Sequence, residues 1–137
     1  MTQVEIEYEG ELRTRCLHVE SGEIIFTDAP KDNQGEGKFF SPTDLVGVAL
    51  GSCVLTIMGI FAKRQGIELK GTKVRVTKEM QNKPSRRIGK ITMHFTSPHK
   101  FDSDVQTRLE KIAHECPVHH SLHPDVVQEF TFEWGVS

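Results

Sequence analysis

The residues of this sequence with the greatest chemical reactivity are its three cysteines, an odd number that argues against a structural disulfide framework. Cys53 lies in the apolar run Ala-Leu-Gly-Ser-Cys-Val-Leu, and Cys116 directly precedes Pro117. Either thiol could act as a nucleophile or be oxidised to a sulfenic acid, but a free cysteine is also a common small core residue. We expect Cys16, on a predicted strand, to have no chemical role.

The predicted positions of the two candidate thiols differ in their electrostatics. Cys53 falls in the middle of a predicted helix, so its thiolate needs a nearby cation for stabilisation. Cys116 falls near the end of another predicted helix, and a helix C-terminus disfavours an anion. We therefore expect Cys116 to be the poorer attacking thiol, although it could resolve a sulfenic acid.

Four histidines lie close to Cys116 in the sequence: His114, His119, His120 and His123. His119 and His123 are four residues apart, a spacing that binds zinc if the segment is helical. Pro117 and Pro124 interrupt that regularity, and no carboxylate has a defined place as a third ligand. We favour surface histidines and keep a zinc site with Cys116 as an alternative.

Few charged residues are placed to assist a thiol. Arg13 and Arg15 alternate along a predicted strand, so either could reach a pocket, although a solvated pair is the simpler interpretation. Asp44 stands three residues after Ser41, which is typical of a capping box at the start of a helix. The sequence contains no nucleotide-binding motif.

Alternation of apolar and polar residues predicts six strands, of which the first is expected to be half-buried. They cover residues 4–9, 12–19, 23–27, 72–80, 88–96 and 126–134. Residues 28–38 form a polar loop that is long enough to be mobile or functional. We expect the strands to be antiparallel.

A long helix is predicted over residues 41–66, with Ser41 as N-cap and Gly66 as the stop signal. Residues 45–62 carry no charge and reach the lower limit for a membrane span. We favour a buried helix outside a membrane, because glycine, serine and threonine weaken its hydrophobicity. A second helix should run from Asp102 or Ser103 to about Cys116, which gives an α+β protein of order βββ-α-ββ-α-β.

Length and composition favour one globular domain over residues 1–137, since hydrophobic residues make up 36% of the chain. The net charge of -2 and the pI of about 6.4 give no indication of a nucleic-acid partner. Residues 1–10 carry three glutamates and lack the pattern of a secretory signal, so we expect a cytoplasmic protein.

The long helix also predicts a homodimer. It is apolar on every face, and one small domain cannot cover all of it. Gly47 and Gly51 lie on one face and would let a second backbone approach there. We therefore expect the helix to lie at or near a subunit interface.

Three motifs together carry a family resemblance: Ser-Pro-Thr-Asp-Leu at 41–45, Ala-Leu-Gly-Ser-Cys at 49–53 and Cys-Pro-Val at 116–118. With the element order, they resemble the OsmC/Ohr family of hydroperoxide-reducing proteins over nearly the whole chain. The resemblance implies an OsmC-like α+β fold, an interlocked homodimer and active sites that borrow residues from the other subunit. It also implies that Cys53 is the peroxidatic cysteine and Cys116 the resolving one.

The sequence departs from the best-known members of that family at one position. Those members carry a glutamate ten residues before the first cysteine, where this chain has Thr43, and the acid is shifted to Asp44. By resemblance, that glutamate holds an arginine beside the reactive sulfur. Arg13 is the best match for this arginine, with Arg15 close behind.

The resulting expectation is a thiol peroxidase that acts on organic hydroperoxides and is regenerated by a dithiol or redox protein. The mechanism requires no metal, haem or flavin. The alternative is a non-enzymatic protein of the same fold that binds small apolar ligands or oxidised lipids, with the cysteines lining its pocket.

Overall fold

The computed structural model describes residues 1–137 and contains two compact units, Met1–Val46 and Gly47–Ser137. Each unit holds a sheet of three strands. The six predicted strands and two predicted helices are present in the predicted order, which confirms the α+β class. A further short helix, which the sequence did not predict, follows the second one.

The first sheet is an antiparallel meander of β1 (Val4–Gly10), β2 (Arg13–His18) and β3 (Ile24–Asp28). The expectation that β1 is half-buried is wrong, because both of its faces are exposed in the chain. Ile6 is 66% exposed. It stands opposite Cys16, which in turn stands opposite Ile25, so apolar residues of β1 and β3 share one uncovered face.

Helix α1 (Pro42–Gln65) begins and ends where the sequence predicts. The Ser41 hydroxyl accepts the Asp44 backbone N–H at 3.0 Å, and the Asp44 carboxylate accepts the Ser41 backbone N–H at 2.9 Å. These two bonds form the predicted capping box. They satisfy backbone donors that the first turn of a helix leaves unpaired.

Only one face of α1 is fully buried within the chain, as expected for a helix that one small domain cannot cover on every side. The buried residues follow helical spacing: Gly47, Leu50, Gly51, Val54, Met58 and Ala62. On the other side, Val48 and Ile60 are 40% and 49% exposed. By length and composition α1 could also cross a membrane, a property that it shares with core helices of globular proteins.

The glycines of α1 face the protein's own second sheet. A Cβ atom on Gly47 would lie 3.1 Å from a methyl of Val76, and one on Gly51 would meet Val76 and Val74 at 3.1 and 3.3 Å. The expectation that these glycines admit the backbone of a partner is therefore wrong. They instead allow the helix to lie close against β4.

The second sheet contains β4 (Lys73–Gln81), β5 (Arg87–Ser97) and β6 (Val127–Trp134). Strands β4 and β5 are antiparallel, but β6 runs parallel to β5, contrary to the expectation that all strands are antiparallel. The connection over residues 98–126 contains helices, and such a crossover is what a parallel pairing requires.

The core of the second unit lies between one face of this sheet and the helices. Strand β5 contributes Ile91, Met93 and Phe95, which are at most 2% exposed. The Phe95 ring stacks on Phe132 of β6, with a centroid distance of 4.7 Å. The helices contribute the remaining fully buried apolar side chains: Leu50, Val54, Met58, Leu109 and Ala113.

The second helix is shorter than the sequence suggests. Helix α2 (Ser103–Ala113) ends three residues before Cys116, and a five-residue helix α3 (Pro117–Ser121) follows. Proline at the first helical position favours a new helix start, because its missing N–H would be unpaired there anyway. Cys116 is therefore the N-cap of α3 and not the last residue of α2.

The close packing of α1 on β4 generates the first prediction. Gly51→Leu should lower the free energy of unfolding by about 1–3 kcal/mol or more, because the side chain has no room against Val74 and Val76. Gly59→Ala, on the same helix, should raise it by about 0.5–1 kcal/mol, because nothing lies within 4 Å of its Cβ position. Urea denaturation followed by circular dichroism measures both. Equal effects of the two substitutions would contradict this packing.

Candidate active site

The structure brings Cys53 and Cys116 together. Cys53 is half-buried on α1, next to the fully buried Val54, whereas Cys116 is completely inaccessible to solvent. The two thiols are close enough for Cys53 to raise the pKa of the Cys116 thiol, and both are free cysteines. A short path for disulfide formation therefore exists between two cysteines that are 63 positions apart in the sequence.

The turn between α2 and α3 holds the Cys116 sulfur. The backbone N–H of His119 donates to Cys116 Sγ at 3.4 Å, and the N–H of His120 donates to the Cys116 carbonyl at 3.1 Å. Because Pro117 starts α3, Cys116 has extended backbone geometry and its sulfur lies close to free N–H groups of the first turn. Cys116 is thus held by hydrogen bonds to both its backbone and its side chain.

Burial raises the pKa of the Cys116 thiol above its usual value of 9.0. The hydrogen bond with Cys53 raises this pKa further, while the backbone N–H groups of His119 and Val118 partly offset the increase. Cys116 is therefore a protonated thiol at neutral pH. A negative charge on Cys53 would strengthen this preference, since it disfavours a second charge beside it.

The histidines near Cys116 do not form the arrangement that a zinc site needs. Helix α3 ends at Ser121, so His119 and His123 do not share a helix. His119 contacts Gln128 of β6, whereas His123 is exposed and lies 3.8 Å from Asp125. No group of three histidine, cysteine or acidic side chains in the chain could hold a metal ion.

Arg13, the arginine predicted to assist the thiol, is held in the first unit by carboxylates. Its guanidinium lies 3.2 Å from Asp28 Oδ2 and 3.6 Å from Glu36 Oε2. It also lies over the ring of Phe39, with 5.0 Å between Cζ and the ring centroid. Arg15 points to the same face of β2 and stands opposite Glu7. Arg13 is therefore the more firmly positioned of the two arginines.

Sequence reasoning missed Asp28, although it ends an apolar strand and pairs in register with Arg13. Asp28 is fully buried, and the backbone N–H of Lys38 donates to its Oδ2 at 3.0 Å. This bond, with a smaller contribution from Arg13, lowers the pKa of Asp28 although burial opposes the decrease. The carboxylate closes the loop over residues 28–38 and orients Arg13.

Asp44 has the structural role of a capping-box residue, as its spacing from Ser41 indicates. Its carboxylate accepts the Ser41 N–H and completes the cap of α1. Thr43, at the position of the family's glutamate, shares a hydrogen bond of 3.2 Å with the Ser41 hydroxyl. Cys16 lies on β2, with its sulfur 3.7 Å from the hydroxyl of Thr14.

Comparison with known proteins gives a consistent assignment. The family model described as OsmC-like protein matches residues 35–130. A solved protein of Psychrobacter arcticus 273-4, provisionally named an osmotic stress induced and detoxification response protein, is 42% identical. The alignment covers 97% of this chain and 96% of that one, with a TM-score of 0.92. No curated protein sequence matches this chain.

More distant structures share the fold alone. The organic hydroperoxide resistance protein OsmC of Legionella pneumophila is 15% identical, with a TM-score of 0.78 and coverage of 97% of this chain and 96% of that one. The organic hydroperoxide resistance protein OhrB of Bacillus subtilis is 16% identical, with a TM-score of 0.70 and coverage of 97% and 98%.

The coupling of the two thiols generates a prediction about pH. Because the charge and hydrogen bond of Cys53 raise the pKa of Cys116, Cys53→Ala should lower that pKa, while burial keeps it above its usual value. The ¹³Cβ chemical shift of Cys116 should then titrate with its midpoint at a lower pH than in the wild type. NMR of protein with ¹³C-labelled cysteine between about pH 7 and 11 measures this midpoint. Cys16→Ala is the control, and an unshifted midpoint in Cys53→Ala would show that the thiols are not coupled.

Proposed function

This chain belongs to the OsmC-like protein family, and we propose that it is a thiol peroxidase that reduces organic hydroperoxides to alcohols. The observation that carries the proposal is the proximity of Cys53 to the buried Cys116 thiol. Hydroperoxide resistance proteins of the same fold support this class of substrate. The redox steps of the proposed cycle take place on these two thiols and use an external reductant.

In the first step, the Cys53 thiolate attacks the distal oxygen of the hydroperoxide. An S–O bond forms and the O–O bond breaks, so that the sulfur is oxidised to a sulfenic acid and the alkoxide takes a proton to leave as an alcohol. Cys53 is suited to this role because it is partly accessible, whereas Cys116 is protonated and inaccessible. The two thiols therefore differ in their access to solvent.

In the second step, Cys116 attacks the sulfenic sulfur of Cys53. The disulfide forms, the S–O bond breaks, and the hydroxyl leaves as water with the proton of the Cys116 thiol. The existing contact between the thiols makes this step intramolecular and short in range. A dithiol or redox protein then reduces the disulfide by thiol–disulfide exchange.

We also propose Arg13 as the cation that stabilises the charge on Cys53 and on the leaving oxygen. Asp28 and Glu36 support this role, because two carboxylates restrict the guanidinium to one orientation. Asp44 contributes indirectly in this proposal. It fixes the first turn of the helix that carries Cys53.

Variants of the three cysteines test the peroxidase. Cys53→Ser should abolish turnover of cumene hydroperoxide with dithiothreitol, because serine supplies no thiolate at neutral pH. Cys116→Ser should permit one oxidation and leave a sulfenic acid on Cys53, which dimedone traps for mass spectrometry. Cys16→Ser should retain activity within about twofold. Turnover by Cys53→Ser equal to that of the wild type would rule out the proposed enzyme.

An apolar groove favours ligand binding as a second candidate function. It has a volume of about 220 Å³ and is lined by residues of α1, of the end of α2 and of the turn that follows α2: Ile57, Ile60, Phe61, Arg64, Ile112 and Glu115. Ile57 follows Cys53 by one helical turn, and Ile112 precedes Cys116 by four residues. Binding of a saturated alkyl ligand without any peroxide turnover would favour this alternative.

We further propose a homodimer. In each unit the chain leaves apolar side chains uncovered: Val4, Ile6, Tyr8 and Ile25 in the first, and Val48 and Ile60 in the second. Burial of such residues is the main driving force of association. The proposed interlocked dimer would cover both groups.

The dimer can be tested without disturbing the fold of one subunit. Ile6→Lys should dissociate it, because Ile6 is 66% exposed in the single chain and its replacement removes apolar area only from an interface. Val136→Lys, another exposed apolar residue, is the control. Light scattering should give twice 15.5 kDa for the wild type and the control. A wild-type protein of monomer mass would rule out the dimer.

A further inference from the structure

Gln128 is an unexpected residue on the inner face of β6. It shares that face with Phe130, Phe132 and Trp134, and all four side chains are half-buried. A polar side chain in an aromatic row loses water contacts and needs hydrogen-bond partners. Gln128 finds both of its partners in His119 of α3.

The two hydrogen bonds show which ring nitrogen of His119 carries a hydrogen toward Gln128. The Gln128 amide Nε2 donates to the His119 carbonyl oxygen at 3.2 Å, which fixes the orientation of the amide because a carbonyl only accepts. The Gln128 Oε1 therefore faces His119 Nδ1 at 2.5 Å and must accept a hydrogen bond from it. His119 thus carries a hydrogen on Nδ1.

Aromatic packing adds to the same attachment. The His119 ring lies edge-on to Phe130 of β6, with a centroid distance of 5.5 Å. The His114 ring stacks on Phe130 at 4.4 Å and meets His119 edge-on at 5.8 Å. The chain segment on both sides of Cys116 is therefore fixed to β6.

His119 connects this attachment to the Cys116 sulfur, because the His119 backbone N–H donates to Cys116 Sγ. We infer that Gln128 is the positioning residue of the resolution step: through its two bonds to His119, it keeps the Cys116 sulfur beside Cys53. The inference rests on the proposed function. In the step concerned, Cys116 forms the S–S bond while the S–O bond of the Cys53 sulfenic acid breaks and water leaves.

Positioning matters for this step because only a small fraction of Cys116 is in the attacking thiolate form. Burial keeps Cys116 protonated at neutral pH, so few molecules carry its thiolate at any moment. A fixed geometry compensates for this scarcity by making each thiolate effective, as in other intramolecular reactions. Loss of the attachment should therefore slow resolution and leave oxidation of Cys53 unchanged.

Gln128→Met tests the inference, because methionine retains the length of the side chain and removes both hydrogen bonds. After one equivalent of hydroperoxide, formation of the Cys53–Cys116 disulfide should slow at least tenfold in stopped-flow fluorescence of Trp134. The second-order rate constant for oxidation of Cys53 should stay within twofold of the wild type. Gln3→Met, the same change at an exposed residue, should alter neither rate. An unchanged resolution rate in Gln128→Met would overturn the inference.

Two measurements keep this test separate from the peroxidase itself. Diamide forms the same disulfide without a peroxide, so slower closure in Gln128→Met supports the inference even if no hydroperoxide is turned over. In addition, ¹⁵N NMR should show the Nδ1–H tautomer of His119 in the wild type and in Gln128→Glu, which retains the acceptor. Gln128→Met should lose this signature. An Nε2–H tautomer in the wild type would contradict the inference even if Gln128→Met did not fold.

Discussion

The arrangement of the two thiols depends on how closely α1 packs against the second sheet. Gly47 and Gly51 remove side chains from the contact face, and the methyl groups of Val74 and Val76 occupy the space. Protein interiors are close-packed, so a displacement of the helix there would be transmitted along its length. Cys53 lies two residues after Gly51, so this contact determines where Cys53 lies. Gly51, which has no side-chain chemistry, therefore sets the position of the Cys53 sulfur.

Cys116 reaches the same place by a different route. It lies in the short connection between α2 and α3, and β6 holds that connection through Gln128 and Phe130. One thiol thus belongs to a long rigid helix and the other to a compact turn. This difference suits the proposed peroxidase, in which one sulfur must be reached by substrate while the other must approach it to form a bond. The differing burial of the two thiols follows from the same arrangement.

In the first unit, Arg13, Asp28 and Glu36 form a cluster of charged side chains. Asp28 accepts hydrogen bonds from Arg13 and from the backbone of Lys38, and Glu36 adds a second carboxylate near Arg13. Such a cluster stabilises a loop that the sequence marks only as polar. In the proposed function it also presents a guanidinium of fixed orientation. Asp44 is not part of this cluster, because its carboxylate caps α1.

Features that depend on local interactions could be predicted from the amino-acid sequence. The positions of the six strands, the capping box at Ser41 and Asp44, and the stop at Gly66 follow from short-range signals, and the structure confirms all of them. The family motifs also identified the two cysteines that meet. Three other features could be seen only in the folded chain: the parallel pairing of β6, the surface that Gly47 and Gly51 face, and the partners of Cys116. These features depend on contacts between residues distant in the chain, and no pattern within a single segment encodes which distant surface will cover it.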